Sequence, residues 1–442
     1  MSICARALTL VSLLPLGCAT SLETSARRDL DRPPPSAAPA GRPPPPPASP
    51  TDGSLAGYLS YALATNPELE AARQEWRAAG YRISGARRLP DPTFSYMYYI
   101  QTMEGQHRRH KLTVTQEFPW PGRLSSRADA ASLTAESKAR QSDAAALRVV
   151  REVSEAYWRV WLLKRTRAVK RDQRELVQQF TRVVRVRLEI GQATLAELGQ
   201  MDLAVSRLTD ELSGLDEQEH ALTAELQRAL GAPRTMTLPI ADEPPPHVLP
   251  AEPLSALEAA ALSHPRVEAL AAMSESQLHL SRSATAEGYP GFMVGAEYMP
   301  GDPLSGDDPL AVMLSIKLPL WRSTYSDAAS SARAQSAAYR AQRDAAKSVA
   351  RAALDKALSD VRDAARKSKL YRDTLLPQAE TVYESTLGAY QADRAGLQAV
   401  ILVQRELLEL QLELCRSQAE LGVAWARLEE IVGRPVGAKA AP

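Results

Sequence analysis

Residues 93–101 read TFSYMYYIQ and residues 111–119 read KLTVTQEFP. Both alternate with a period of two, the spacing that gives a strand one apolar and one polar face. In the first, Phe94, Tyr96, Tyr98 and Ile100 share a face against Thr93, Ser95, Met97 and Gln101. In the second, Leu112, Val114 and Phe118 oppose Lys111, Thr113, Thr115 and Glu117. Two later stretches do the same. Over 291–299, Phe292, Val294, Ala296 and Tyr298 oppose Gly291, Met293, Gly295 and Glu297. Over 311–318, Val312, Leu314, Ile316 and Leu318 oppose Met313, Ser315 and Lys317. Each is predicted at about 9–11 residues, the length a tilted membrane strand needs.

An apolar outer face and a polar inner face mark a barrel wall around a wet lumen. Aromatic residues make up only 5% of the chain, yet Tyr96, Tyr98, Tyr99, Phe118, Trp120, Tyr289, Phe292, Tyr298 and Trp321 gather at these strands and their ends. That placement matches an interfacial girdle. Two soluble hairpins packed on helices would alternate in the same way. On the membrane reading, Phe94, Tyr96, Tyr98, Phe292, Tyr298, Leu314 and Ile316 face lipid. Four strands cannot close a barrel, and open edges are not tolerated in lipid, so the chain must oligomerise. Two copies would give a filled barrel, and three would leave a pore.

Around the strands the chain repeats itself once, at an offset of about 200 residues. Leu59 to Ala71 (LSYALATNPELEA) answers Leu257 to Ala269 (LEAAALSHPRVEA). Phe94 aligns with Phe292, Phe118-Pro119 with Leu318-Pro319, Leu195 with Leu397, and Gly231 with Gly433. Each half is predicted as helix, strand, strand, long helix, helix. The first half has helices over Ser54 to Arg87, Leu124 to Ile190 and Leu195 to Leu230. The second has them over Leu254 to Glu287, Thr324 to Gln391 and Leu397 to Val432. Pro119, Pro121 and Pro319 stop the inner strands and suit the first turn of the long helices. A helix of about 67 residues spans about 100 Å, matched by two shorter helices end to end. Ala-rich faces (Ala128, Ala131, Ala135, Ala139; Ala328, Ala332, Ala338, Ala345) allow close approach. Aliphatic spacing in Leu397 to Leu414 fits coiled-coil-like pairing. The expected fold is mainly α with a small β part, built from long antiparallel helical hairpins.

The N-terminus reads as a targeting segment. Arg6 precedes an apolar run, Ala7 to Leu16, too short to span a bilayer. It ends in Leu14-Pro15-Leu16-Gly17-Cys18, which resembles a bacterial lipobox with an imperfect Pro15; lipid on Cys18 is the expectation. An ordinary cleaved signal with an incidental Cys is the alternative. Residues 18–53 then form a tether, Pro-rich from Asp31 to Pro50. The remaining divisions are 1–17 signal peptide, 54–231 first repeat, 232–253 linker, 254–433 second repeat and 434–442 tail. Of the 3 cysteines, only Cys415 would remain unlipidated after processing, so no intrachain disulfide is expected.

Other chemistry is sparse. With 53 basic and 52 acidic residues, the charge balance argues against a nucleic-acid partner. The Arg-dense run from Arg148 to Arg187 is interleaved with Glu152, Glu155, Asp172 and Glu175, as on a solvated helix face. There is no P-loop, GxSxG, HExxH or CxxC, so no enzyme and no cofactor is expected. His107 and His110 share a predicted loop with Met103. Met97, Met293 and Met313 fall on the polar strand face, where thioethers would suit Cu(I) but also serve as adaptable filler. No metal site is predicted.

The two openings Leu59 to Pro67 and Leu257 to Pro265, with the run Gln116-Glu117-Phe118-Pro119-Trp120-Pro121-Gly122-Arg123 and the hairpins at Gly191 and Asp393, resemble the TolC outer-membrane factor family across Leu55 to Gly433. The Phe-Pro-Trp-Pro-Gly-basic run is similar to the family's metal-efflux branch. The resemblance implies a homotrimer with a twelve-stranded barrel in the outer membrane and a periplasmic α-barrel. It implies a tip that meets a periplasmic adaptor protein and, through it, an inner-membrane pump. Gly191, Leu195, Leu198, Asp393 and Leu397 would form that tip. Some members carry an acidic ring past the second hairpin; here Ala399 and Leu402 stand there, and Asp393, Glu197 and Asp202 are the nearest acids. The rival readings are a structural coiled-coil lipoprotein of the periplasm and an efflux adaptor, the latter requiring a lipoyl-like or barrel domain for which no strands are predicted.

Overall fold

A computed structural model describes residues 20–31, 53–100, 110–242, 252–300, 309–392 and 394–436. Cys18, His107, Met103, Asp393 and the Pro-rich stretch lie outside the described residues. The chain divides into two compact units. One holds Gln74–Arg140 and Glu268–Asp344 with the N-terminal helix; the other holds residues 35–73, 141–267 and 345–442.

Helix α1 (Ser21–Asp31) falls inside the predicted tether. The first repeat follows as α2 (Leu55–Thr65), α3 (Pro67–Arg87), β1 (Thr93–Tyr98), β2 (His110–Phe118), α4 (Arg123–Glu189) and α5 (Leu195–Leu230). The second runs α6 (Leu254–Leu262), α7 (Pro265–Glu287), β3 (Gly291–Tyr298), β4 (Leu310–Lys317), α8 (Arg322–Leu370), a π turn (Tyr371–Leu375), α9 (Leu376–Gln391) and α10 (Leu397–Val432).

Three predicted helices are broken, each next to a proline. Pro67 lacks an N–H and disfavours helical backbone before it. Asn66 is accordingly extended, and its Oδ1 caps α3 by accepting from the amides of Glu68 (2.8 Å) and Leu69 (3.2 Å). Its Nδ2 donates to the Ala229 carbonyl at 2.8 Å, tying this break to the end of α5. The second repeat breaks likewise before Pro265, where His264 Nδ1 accepts from the Arg266 amide at 3.1 Å. Gly231 ends α5 in the left-handed region, φ 69°, where a Cβ would lie 2.7 Å from Pro67 Cδ. The third break is the π turn ahead of Pro377. A proline inside a helix removes one backbone bond and crowds the preceding turn, and a widened turn accommodates it.

The larger core lies in the unit with residues 141–267. Tyr58, Tyr157, Trp158, Trp161, Leu226 and Leu230 are all buried there. The rings meet at tilted or edge angles, with Tyr58–Tyr157 centroids 5.8 Å apart and Trp158–Trp161 5.4 Å apart. The polar ends of Tyr58, Trp161 and Tyr157 are satisfied by the inter-repeat segment and its neighbour. Tyr58 OH donates to Pro239 O (2.5 Å), Trp161 Nε1 to Asp242 O (3.3 Å) and Tyr157 OH to Gly53 O (3.2 Å). The described part of the linker is thus packed structure.

The other unit uses small residues. Ala128, Ala130, Ser132, Ala135 and Ser137 of α4 are buried, as are Ala269, Ala272, Ser274 and Ser276 of α7. Ser276 Oγ donates to Ala130 O and Ser137 Oγ to Ala269 O, both at 2.9 Å. Short side chains let the backbones approach, while Ser132 Oγ bonds Ala128 O of its own helix and Ser274 Oγ bonds Ser336 O of α8, so each of these buried hydroxyls has an acceptor.

The sheet has the order β1-β2-β3-β4, with every neighbour antiparallel. The strands are 6, 9, 8 and 8 residues long, most of them shorter than expected. The first stops early because its ladder with β2 closes at Tyr98↔His110, leaving Tyr99 and Ile100 unpaired.

Candidate membrane-facing sheet and helical tips

Residues directly opposite in an antiparallel ladder point to the same side. The register sets Phe94 beside Val114, Val114 beside Ala296 and Ala296 beside Val312. It likewise sets Tyr96 beside Leu112, Leu112 beside Tyr298 and Tyr298 beside Leu310. Phe292 lies beside Ile316 and Val294 beside Leu314. One face is therefore apolar across all four strands, as the alternation predicted. Gln116 and, at the end of β2, His110 are its polar exceptions; Gln116 Nε2 donates to Pro90 O at 2.7 Å.

That face packs on no core in the single chain. Tyr98 is 48% exposed, Phe292 38% and Leu314 69%. Phe94, Tyr96 and Ile316 are exposed too, and Tyr298 is half-buried. Among the described residues no helix of the chain covers these side chains.

The opposite face carries charge that the alternation did not resolve into pairs. Lys111 Nζ lies 2.6 Å from Glu297 Oε2 on the neighbouring strand, and Lys317 Nζ of β4 lies 3.8 Å from Glu117 Oε1 of β2, across the intervening β3. Gly295 sits between them along β3. A Cβ there would come within 2.9 Å of Thr115 and 3.1 Å of the Met313 methyl, so those two side chains meet over a bare backbone. Met97, Met293 and Met313 share this face but sit at separate ladder positions. His110 is part of β2, not a loop, and its Nδ1 lies 2.9 Å from Tyr96 OH. No group of three or more metal-binding side chains occurs among the described residues, and no described helix is long and apolar enough to cross a membrane.

The helical hairpins meet at their turns. Gly191, φ 74°, closes the first; the Gln192 amide reaches back to Arg187 O at 2.7 Å and the Gly191 amide to Leu188 O at 3.0 Å. Thr194 and Glu197 then form a capping box that starts α5. In the second hairpin the Arg394 amide bonds Ala389 O at 2.8 Å. One apolar cluster joins both, with Val177, Val184, Met201, Tyr390, Leu397 and Val400 buried and Leu198 packed against them. The Arg187 guanidinium lies 4.7 Å above the Tyr390 ring, and Gln398 bonds Gln200. Leu397 is thus core, while Leu195, Ile190 and Leu402 stand exposed. Glu197 is engaged in its cap, and Asp202 is exposed.

Residues 58–232 match the family model described as outer membrane efflux protein. Over these residues the chain is similar to that family. The second repeat lies outside that match but keeps the same element order. Among solved structures, the chain is similar to the outer membrane protein VceC of Vibrio cholerae, with TM-score 0.70, 17% identity, and 86% of this chain and 96% of that one covered. It is similar to the outer-membrane channel OprN, with TM-score 0.72, 14% identity, and 90% and 99% covered. It is also similar to the Campylobacter jejuni CmeC outer membrane channel, with TM-score 0.70, 11% identity, and 91% and 92% covered. At such identities the likeness speaks for the fold. No curated protein sequence matches the chain.

Proposed function

We propose that this chain is the outer-membrane duct of a tripartite efflux system, a passive conduit for metal ions, drugs or other small molecules and not an enzyme. Three copies close a twelve-stranded barrel, each contributing β1 to β4, with the apolar face to lipid and the charged face to the lumen. The helical hairpins extend into the periplasm. Their turns, at Gly191, Leu195 and Asp393 over the core made by Leu198 and Leu397, meet an adaptor protein that links the duct to an inner-membrane pump. Cys18 carries the lipid anchor. The driving energy belongs to the pump.

One observation carries this reading: an apolar face, interrupted only by Gln116 and His110, runs across four strands open to solvent, while among the described residues both outer strands leave an edge unpaired. Water tolerates neither feature well at that size. Lipid outside and further strands at each edge resolve both. The test is gel mobility of outer-membrane extracts in mild detergent, with and without boiling. A heat-sensitive band of three chains is expected, and a chain that fractionates as a soluble monomer overturns the proposal.

A further inference from the structure

The two hairpins obey one rule. The first closes at Tyr98↔His110 and the second at Tyr298↔Leu310, a shift of 200 on both strands. Phe94↔Val114 becomes Val294↔Leu314 under the same shift. Phe94 is therefore the structural counterpart of Val294, and the sequence match to Phe292 is out of register by two. Helices α3 and α7 explain the slip, since α7 has 23 residues against 21 and both end 200 apart, at Arg87 and Glu287.

The β2–β3 ladder joins repeat one to repeat two within the chain. A seam between β4 and the next copy's β1 joins repeat two to repeat one. Resting on the ring of copies proposed above, we infer that this seam repeats the β2–β3 register under the same shift. Leu112↔Tyr298 then gives Val312 opposite Tyr98 of the neighbouring copy. Val114↔Ala296 gives Leu314 opposite Tyr96, and Gln116↔Val294 gives Ile316 opposite Phe94. On the lumen side, Thr113↔Glu297 gives Met313 opposite Met97.

The faces agree. Val312, Leu314 and Ile316 of β4 each meet an apolar residue of β1, and the seam is antiparallel like the other ladders. A slip of one residue would turn one strand's apolar set toward the lumen. A slip of two keeps the faces, so only the internal repeat selects among even registers. All six residues of β1 find partners within β4, from Thr93 opposite Lys317 to Tyr98 opposite Val312.

Paired cysteines test this in outer membranes from cells making the full chain. Opposite Cβ atoms lie about 4.5–5.5 Å apart and diagonal ones about 7–8 Å, and a disulfide wants about 3.5–4.5 Å. Three double variants are oxidised with copper phenanthroline: Met313→Cys with Met97→Cys, with Ser95→Cys, or with Tyr99→Cys. The Met97 pair is expected to lose its monomer band first, giving linked dimers and trimers on denaturing gels. Faster linkage in the Ser95 or Tyr99 pair overturns the register and leaves the ring standing. If no pair links although each single cysteine reacts with a maleimide, the ring itself fails, and the register with it. Variants enter the comparison only as heat-sensitive oligomers, and Met313→Ala with Met97→Ala, which should remain one, shows that neither thioether is needed for assembly.

Discussion

The two long helices come from equivalent places in the two repeats, yet one is continuous and the other is not. Helix α4 runs 67 residues without a break. Its counterpart passes from α8 through the π turn into α9, with Pro377 as the second residue of α9. The strands repeat at a spacing of 200, as Tyr98 and Tyr298 show, whereas α5 and α10 start 202 apart, at Leu195 and Leu397. Surplus residues therefore enter along the second long helix, where a widened turn can hold one. The difference teaches where symmetry is enforced. A ladder shifted by one residue reverses its faces, so the sheet keeps its spacing strictly. A helix absorbs an extra residue at the cost of one irregular turn.

The strongest way to break that contrast is Val177→Pro, which puts a proline at the position 200 residues before Pro377. Val177 is buried in the tip cluster within regular helix. The change should cost about 3 kcal/mol or more, read as a lower unfolding midpoint, whereas Pro377→Ala should shift it little because the π turn already accommodates the ring. Equal midpoints in the two variants would refute the asymmetry. Next comes the symmetric pair Val114→Arg and Leu314→Arg. If both strands face lipid alike, each should cost about 2–4 kcal/mol near the bilayer centre and thin out the heat-sensitive oligomer equally, while Ser315→Arg on the other face leaves it intact.

A smaller effect separates the two helix breaks. Asn66 makes two capping bonds and one to Ala229, so Asn66→Ala should cost about 1–2 kcal/mol. His264→Ala loses a single cap bond and should cost visibly less. The smallest effects are ionic, discounted for solvent to under about 1 kcal/mol. Glu155 is partly buried, which opposes its ionisation, but Arg427 at 2.8 Å and Arg151 at 3.2 Å outweigh this and hold its carboxyl below the usual range. A lowered carboxyl stabilises the fold above its unfolded value and loses that as pH falls through the folded one. Glu155→Gln should therefore melt earlier at pH 7, with the gap closing on acidification. Burial pushes Glu429 the other way, more than the Trp425 and Val436 N–H groups that bond it can offset. Its contribution is present below the unfolded value and lost as pH rises through the raised one. Glu429→Gln should melt later at pH 7, and thermal scans from pH 4 to 8 would show curves of opposite sign.

Period-two alternation located all four strands, and both returning helices match their predicted limits, Leu195 to Leu230 and Leu397 to Val432, because a cap or hairpin residue stands just before each and a left-handed glycine just after. The breaks at Asn66 and His264 were written in the sequence as X-Pro pairs, but apolar periodicity on both sides hid them. The π turn was not legible, since Pro377 alone does not say whether a helix stops or widens. Nor were the ion pairs on the charged strand face, because Lys111 meets Glu297 only once β2 and β3 are in register. The seat of α1 depends on Arg87, 64 residues away from Glu23, and no local pattern encodes such a contact.

That seat has a mechanical consequence. Glu23 is buried between Arg27 at 2.8 Å and Arg87 at 2.5 Å, and Ala26 packs on Ala79, Ile83 and Ala135. Cys18 stands five positions before Glu23, so the backbone of that cysteine lies no farther than about 18 Å from the clasp, even with the chain drawn straight. Under the anchor proposed at Cys18, what reads in sequence as a slack leash would work as a short strut that delivers a pull to Arg87.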